Sequence, residues 1–175
     1  MKRRRKQKSQ RSSSFSSDSD NSQVEAARKI ALRLLTRTMR TRREIEEKLS
    51  SRGFPGGVVQ TVSERLESVG LIDDAEYAGA FLRTSLRLRP RSYKVLRNEL
   101  IKKGVSPELA NSAVRESSQS IPETSIAREV LTKAFRRYGK LPDRERRRKL
   151  FSFMGRRGFS LETISEVLGE GEQSV

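Results

Sequence analysis

Apolar residues recur at helical spacing in three stretches of the chain, and each stretch ends in a glycine. These glycines, Gly53, Gly104 and Gly158, are 51 and 54 residues apart. The fourth residue before each glycine is apolar, and so is the eighth, in the pairs Leu49 with Ile45, Leu100 with Leu96, and Met154 with Leu150. Positions four apart lie on one face of a helix. The pattern predicts one helical unit used three times.

Further apolar periodicity before and after each of these stretches predicts a helix on either side. We therefore predict an all-α fold of three tandem three-helix repeats that form an elongated, curved, solenoid-like molecule. Residues before Gln23 are basic and Ser-rich, with Phe15 as the one apolar anchor, which predicts disorder. The expected segments are a disordered tail at 1–22, repeats at 23–71, 72–120 and 121–170, and a flexible C-terminus at 171–175.

Local signals predict where the helices begin. Thr41 with Glu44, and Asp73 with Glu76, have the spacing of capping boxes, in which a side-chain oxygen accepts from the third helical amide. The Phe54-Pro55-Gly56-Gly57 stretch predicts a turn, followed by a helix that begins at Val58.

The charge of the chain narrows the class of partner. Lys and Arg number 38 against 22 Asp and Glu, which gives a net charge of +16. Such a balance favours nucleic acid or an acidic protein surface as the partner.

The chain has no Cys and no His, which excludes disulfides, imidazole or thiolate catalysis and the usual zinc sites. We expect no catalytic residue, metal or cofactor. No apolar run is long enough for a membrane helix, and we expect a cytoplasmic monomer.

Asp73 and Asp74 are the acidic pair that could hold a metal or act as general acid and base. The capping box already explains Asp73, and no further ligand set lies close by in sequence. Asp74 is less well explained, although a carboxylate in the first helical turn favours the helix dipole. Tyr77 is expected to pack in the core with its hydroxyl near the surface. We interpret the three as a structural motif.

A row of cations occupies equivalent positions in the three repeats. The tenth residue before each glycine is Arg43, Lys94 or Arg148, on the face opposite the apolar pair. Arg43 and Lys94 fall in the first turn of their helices, where a cation is unfavourable, while the helix of Arg148 is expected to begin earlier, near Asp143. A cation that is unfavourable for its own helix, at the same position in two repeats, indicates that an external anion binds there.

Other basic residues complete the candidate set. Arg52, Lys103 and Arg157 directly precede the glycines, where the helix dipole alone can account for a cation. The remaining candidates for binding a partner or DNA are Arg40, Arg42, Arg91, Arg97, Lys102, Arg147 and Arg156. Aromatic residues are sparse among them, which favours contact with a backbone over base stacking.

Several blocks together resemble the bacterial RecX family of recombination regulators. They are Ala31-Leu32-Arg33-Leu34-Leu35, Arg40 to Ile45 with Arg52-Gly53-Phe54, Leu71-Ile72-Asp73-Asp74-Ala75-Glu76-Tyr77-Ala78, Glu99-Leu100 with Lys103-Gly104-Val105, and Lys149-Leu150 with Arg156-Arg157-Gly158-Phe159. Ser92 stands where many members have glycine. The resemblance implies three three-helix repeats that bind the RecA filament on single-stranded DNA, in DNA repair and the SOS response. It also implies inhibition of the filament's ATPase and strand exchange.

Two other functions remain open from the residues. A protein that binds DNA directly could use one three-helix unit as a helix-turn-helix. A nuclease is a weaker alternative. The spread of cations over all repeats favours the filament binder.

Overall fold

The computed structural model describes residues 11–172, and within that range the regular structure is helical throughout. The predicted all-α fold of three tandem three-helix repeats is confirmed. The helices are α1 Arg11–Leu35, α2 Arg42–Ser50, α3 Gly56–Ser68, α4 Asp74–Leu88, α5 Tyr93–Lys102, α6 Pro107–Ser120, α7 Glu123–Tyr138, α8 Asp143–Arg156 and α9 Leu161–Glu172. None of the helices described is long and apolar enough to cross a membrane.

Side-chain caps begin four of these helices. Thr41 Oγ1 accepts from the Glu44 amide at 3.1 Å, and Ser92 Oγ accepts from the Val95 amide at 3.3 Å. Ser106 before α6 and Ser160 before α9 do the same for the third amide of their helices. Each bond satisfies an amide that has no partner within its own helix.

The middle helix of each repeat ends in the same way. Gly53, Gly104 and Gly158 have φ of 86°, 97° and 87°. The amide after each glycine donates to the carbonyl five residues earlier, at 3.4 Å in α2, 3.1 Å in α5 and 3.4 Å in α8. This closure needs a left-handed residue, which glycine adopts at little cost. The apolar residues four and eight positions before each glycine are at most 1% exposed, which confirms the predicted faces.

Two helix starts differ from the prediction. α1 begins at Arg11, twelve residues before the first predicted repeat at Gln23. No Pro or Gly interrupts 11–35, and extending a formed helix adds one hydrogen bond for each residue ordered. Helix α3 begins at Gly56, two residues before the predicted start, because Pro55 occupies its N-cap. Residues 1–10 and 173–175, within the predicted tail and C-terminus, lie outside the described residues.

The chain divides into two compact units, one through Asp74 and one from Ala75 onward. In the first unit, α1, α2 and α3 pack on one another around Ile45, Leu49, Val62 and Leu66. The second unit contains repeats 2 and 3, and its core is continuous through α4 to α9. The last two repeats are therefore not separate bodies.

Candidate functional site

Carboxylates from the following repeat bind the start of two middle helices. Asp74, the first residue of α4, accepts from the amide of Arg42 through Oδ1 at 2.9 Å. Glu123, the first residue of α7, accepts from the amide of Tyr93 through Oε1 at 2.7 Å. Arg42 and Tyr93 are the first residues of α2 and α5. Because these amides lack intrahelical partners, each contact caps a helix, and that of Glu123 also joins repeats 2 and 3 within the second unit. This is the role of Asp74 that the sequence left unexplained.

Two substitutions distinguish the charge of Asp74 from its role as a hydrogen-bond acceptor. Burial raises the pKa of the Asp74 carboxyl, and the bond from Arg42 opposes this. A raised pKa means that the folded state holds the proton more tightly, so the contribution of Asp74 to stability is largest at acid pH and declines as pH rises through the folded pKa. Asp74→Asn keeps the acceptor and should change stability little at neutral pH. Asp74→Ala should lower the free energy of unfolding by about 0.5–2 kcal/mol, because it removes a helix cap.

Urea unfolding followed by circular dichroism measures both variants. Asp74→Asn should also flatten the dependence of stability on pH between acid and neutral conditions. Equal destabilisation by Asn and Ala would assign the effect to the charge and contradict the capping role.

The end of α8 docks on the start of α5. The amide of Ser92 donates to the carbonyl of Arg157 at 3.1 Å, and the Arg157 Nη1 donates to the carbonyl of Pro90 at 2.8 Å. A Cβ at Gly158 would lie 2.3 Å from Val95 Cγ2 and 2.6 Å from Ser92 Oγ. The approach is possible only because residue 158 has no side chain. We call this contact the α5–α8 joint.

Arg157 is held inside this joint. Its guanidinium lies 4.6 Å from the centre of the Phe153 ring. Burial lowers the pKa of Arg157, and the charge of Arg91 lowers it further. Among the predicted binding residues, Arg157 thus contacts its own chain through the backbone, the guanidinium and an aromatic ring.

Tyr77 is partly buried and packs against the core of the second unit. Its ring stacks on Phe81 with centres 6.4 Å apart, and the Lys103 Nζ lies 5.9 Å from its centre. Asp73 directly precedes α4, at the N-cap position. Among the described residues, no group of three or more acidic side chains is placed to hold a metal ion.

Most of the other candidate cations contact neighbouring side chains. Arg42 bridges Glu46 at 2.8 Å and Glu67 at 2.7 Å. The remaining contacts are Arg40 with Glu44, Arg43 with Glu47, Arg91 with Glu99, Arg97 with Asn111, and Arg156 with Ser152. Arg147 is exposed. Of these contacts, that of Arg42 with Glu67 links α2 to α3, and that of Arg97 with Asn111 links α5 to α6.

Four of the candidates are exposed, and their side chains form no hydrogen bond or ion pair with described residues. They are Arg52, Lys94, Lys102 and Arg148. Two of the four belong to the predicted row. The third member of the row, Arg43, pairs with Glu47 at 2.8 Å, but the two side chains are 58% and 62% exposed. Such an exposed ion pair is weak, so Arg43 can readily leave Glu47 to bind another anion.

The three members of the row occupy the predicted faces. Arg43 and Lys94 are the second residues of α2 and α5, and both are exposed. Arg148 is also exposed, but α8 begins at Asp143, one turn earlier relative to its glycine. The first-turn position therefore applies to Arg43 and Lys94 only, as predicted. A cation near the positive end of a helix dipole is locally unfavourable, so folding does not explain Lys94, whereas the pair with Glu47 offsets part of this effect at Arg43.

Comparison with protein families gives three matches that follow one another along the chain. Residues 27–66 match the first three-helix domain of RecX, residues 73–114 match the second, and residues 123–168 match the third. Together they span most of the described helices.

Similar proteins and structures agree with this assignment. Regulatory protein RecX of Mycobacterium ulcerans is 33% identical over 160 residues, which cover 87% of this chain and 88% of that protein. Its counterpart in Streptomyces coelicolor is 36% identical over 151 residues, 84% of this chain and 80% of that protein. The crystal structure of RecX from Lactobacillus salivarius superposes with a TM-score of 0.76 at 25% identity, covering 86% and 97% of the two chains. The chain therefore belongs to the RecX family, whose named members are regulatory proteins.

Proposed function

We propose that this protein binds the RecA filament on single-stranded DNA and inhibits its ATPase and strand exchange. The observation that carries the proposal is the row of Arg43, Lys94 and Arg148, one exposed cation at the same distance from the closing glycine in each repeat. A filament repeats its surface at regular intervals, so a partner with one cation per repeat can contact successive subunits. The net charge of +16 supports an anionic partner.

Inhibition follows from binding one state of the filament better than another. A ligand shifts an equilibrium only by the difference between its affinities for the two states. A protein that bridges neighbouring subunits binds best when their spacing matches its own. Binding therefore stabilises filaments in that state. It slows the steps of ATP turnover or strand exchange that must change the spacing between subunits.

Direct binding to DNA is the second candidate. The four exposed cations without contacts, Arg52, Lys94, Lys102 and Arg148, could meet phosphates as well as carboxylates. Against this candidate, they are distributed over all three repeats instead of lying along one recognition helix. Cytoplasmic location and a monomeric state are part of the same proposal.

Replacing Arg43, Lys94 and Arg148 together by Gln tests the row. The triple variant should keep its fold, because all three side chains are exposed, and should inhibit the filament's ATP turnover less than the parent does. The assay follows ATP hydrolysis by RecA on single-stranded DNA at two salt concentrations. The variant should also depend less on salt, since fewer charges take part in binding.

A matched control replaces the exposed cations Arg65, Arg115 and Arg136 by Gln, one in each repeat and with the same loss of charge. If the control variant loses less inhibition than the row variant, inhibition depends on the row and not on net charge alone. Full inhibition by the folded row variant at both salts contradicts the proposal. Parallel binding to oligothymidylate without RecA separates the two candidates, because direct DNA binding predicts equal losses in both assays.

A further inference from the structure

A groove in the second unit is lined by none of the three cations of the row. It has a volume of about 350 Å³ and runs between α4, the end of α6 and the start of α7. Its floor is apolar, formed by the buried side chains of Leu86 and Ile126. Ile121, in the loop between α6 and α7, lines the groove and remains 41% exposed. The groove can therefore take an apolar group from a partner.

Two arginines line the same groove from α4. Arg83 and Arg87 are four residues apart, so they lie on one face and repel each other. Both are exposed, and neither contacts an acidic side chain among the described residues. Glu129, the carboxylate at the groove, pairs with Lys133. The two guanidinium groups are available to an external anion.

Gly79 leaves room for one of these arginines. It lies in the interior of α4, where glycine is less favourable than alanine by about 0.5–1 kcal/mol. A Cβ at Gly79 would be 3.1 Å from the Nη1 of Arg83. The guanidinium of Arg83 thus lies back along the helix over Gly79.

The hydroxyl groups at the groove are not equivalent. The hydroxyl of Tyr93 donates to the carbonyl of Ile121 at 2.9 Å, so the Ser117 hydroxyl, 3.1 Å away, donates a hydrogen bond to the Tyr93 oxygen. Ser125 is exposed and its hydroxyl makes no contact with described residues. The donors open to a ligand are Arg83, Arg87 and Ser125.

We infer that the groove binds an acidic peptide segment of a partner protein, with a carboxylate between Arg83 and Arg87 and a neighbouring aliphatic side chain on the floor. A planar guanidinium matches a carboxylate through paired hydrogen bonds. A nucleic-acid backbone fits less well, because a run of phosphates offers no aliphatic group for the apolar floor of Leu86 and Ile126. The inference rests on the proposed function for the identity of the partner, since the segment is assigned to the recombinase filament.

The peptide site is tested on the full chain without the filament. The probe is a capped tetrapeptide of alternating leucine and glutamate, titrated while backbone amide resonances are followed by NMR. Amides at Ile121 and Ser125 should shift, and Arg83→Gln with Arg87→Gln should weaken binding about tenfold or more. The matched control, Arg115→Gln with Lys140→Gln, removes the same charge from exposed positions outside the groove and should bind as the parent does.

Two further probes give the outcomes that overturn the inference. A peptide with glutamine in place of glutamate should not shift these amides; if it does so equally, the carboxylate is not recognised. An oligothymidylate that shifts the same amides more strongly than the acidic peptide identifies a phosphate site instead. Unchanged peptide affinity in the folded double variant also contradicts the inference.

A filament assay separates this inference from the proposed function. The Arg83 and Arg87 double variant should bind RecA filaments about tenfold more weakly than the control pair. If the parent does not bind filaments but the peptide binds the groove, the proposed function fails and the peptide site stands. If the double variant binds filaments as the parent does, the groove does not contact the filament.

Discussion

Gly158→Ala is expected to lower the free energy of unfolding of the second unit by about 2–5 kcal/mol, from left-handed strain of about 1–2 kcal/mol together with overpacking of about 1–3 kcal/mol. The strain arises because residue 158 has φ of 87°. The overpacking arises because the new Cβ would lie 2.3 Å from Val95 Cγ2 and 2.6 Å from Ser92 Oγ. Closing the α5–α8 joint would require one of the two helices to move.

Gly53→Ala is the matched control for this prediction. Gly53 has φ of 86° and ends its helix in the same way, but a Cβ there would meet nothing within 4 Å. Gly53→Ala should lower the free energy of unfolding by the backbone strain alone, about 1–2 kcal/mol. The excess cost at Gly158 therefore measures the joint.

Tyrosine fluorescence during urea unfolding reports the second unit, because the three tyrosines of the chain, Tyr77, Tyr93 and Tyr138, all lie in it and the chain has no tryptophan. Circular dichroism reports both units. Equal costs at Gly53 and Gly158 would mean that α5 and α8 adapt without loss, and the joint would then contribute nothing to stability.

Leu100→Ala should destabilise the second unit by about 2–5 kcal/mol, because removing a fully enclosed leucine side chain leaves a cavity. Leu100 is 0% exposed and belongs to the core that repeats 2 and 3 share. Since that core is continuous, the loss should appear in the tyrosine signals of both repeats at the same urea concentration.

Lys102→Ala, two residues further along α5 and exposed, is the control, and it should change stability by less than about 0.5 kcal/mol. A Leu100 variant that is no less stable than this control would contradict the burial of the position. Separate transitions for Tyr93 and Tyr138 would contradict the shared core.

Local signals in the sequence predicted much of the fold. The glycines at 53, 104 and 158 identify the helix ends because a left-handed residue is required there. Thr41 is recognisable as a cap because the bond it makes is to an amide only three residues away. Burial of the apolar faces follows from helical periodicity in the same way.

Contacts between distant residues could not be predicted. Arg157 precedes its glycine as Arg52 does, yet only the structure places its guanidinium against Pro90, a residue 67 positions away. Asp74 and Glu123 likewise bind amides of the preceding repeat, and no local pattern marks that role.

The contacts of Asp74 and Glu123 also limit how the chain can change in length. They join residues separated by 32 and 30 positions, so each closes a loop of nearly the same size that contains the rest of one middle helix and the whole of the next. An insertion or deletion inside either loop moves the carboxylate away from the amide that it caps. Length variation among similar proteins should therefore be rare between residues 42 and 74 and between residues 93 and 123. It should be more frequent in the segment between α1 and α2, which neither of these two contacts spans.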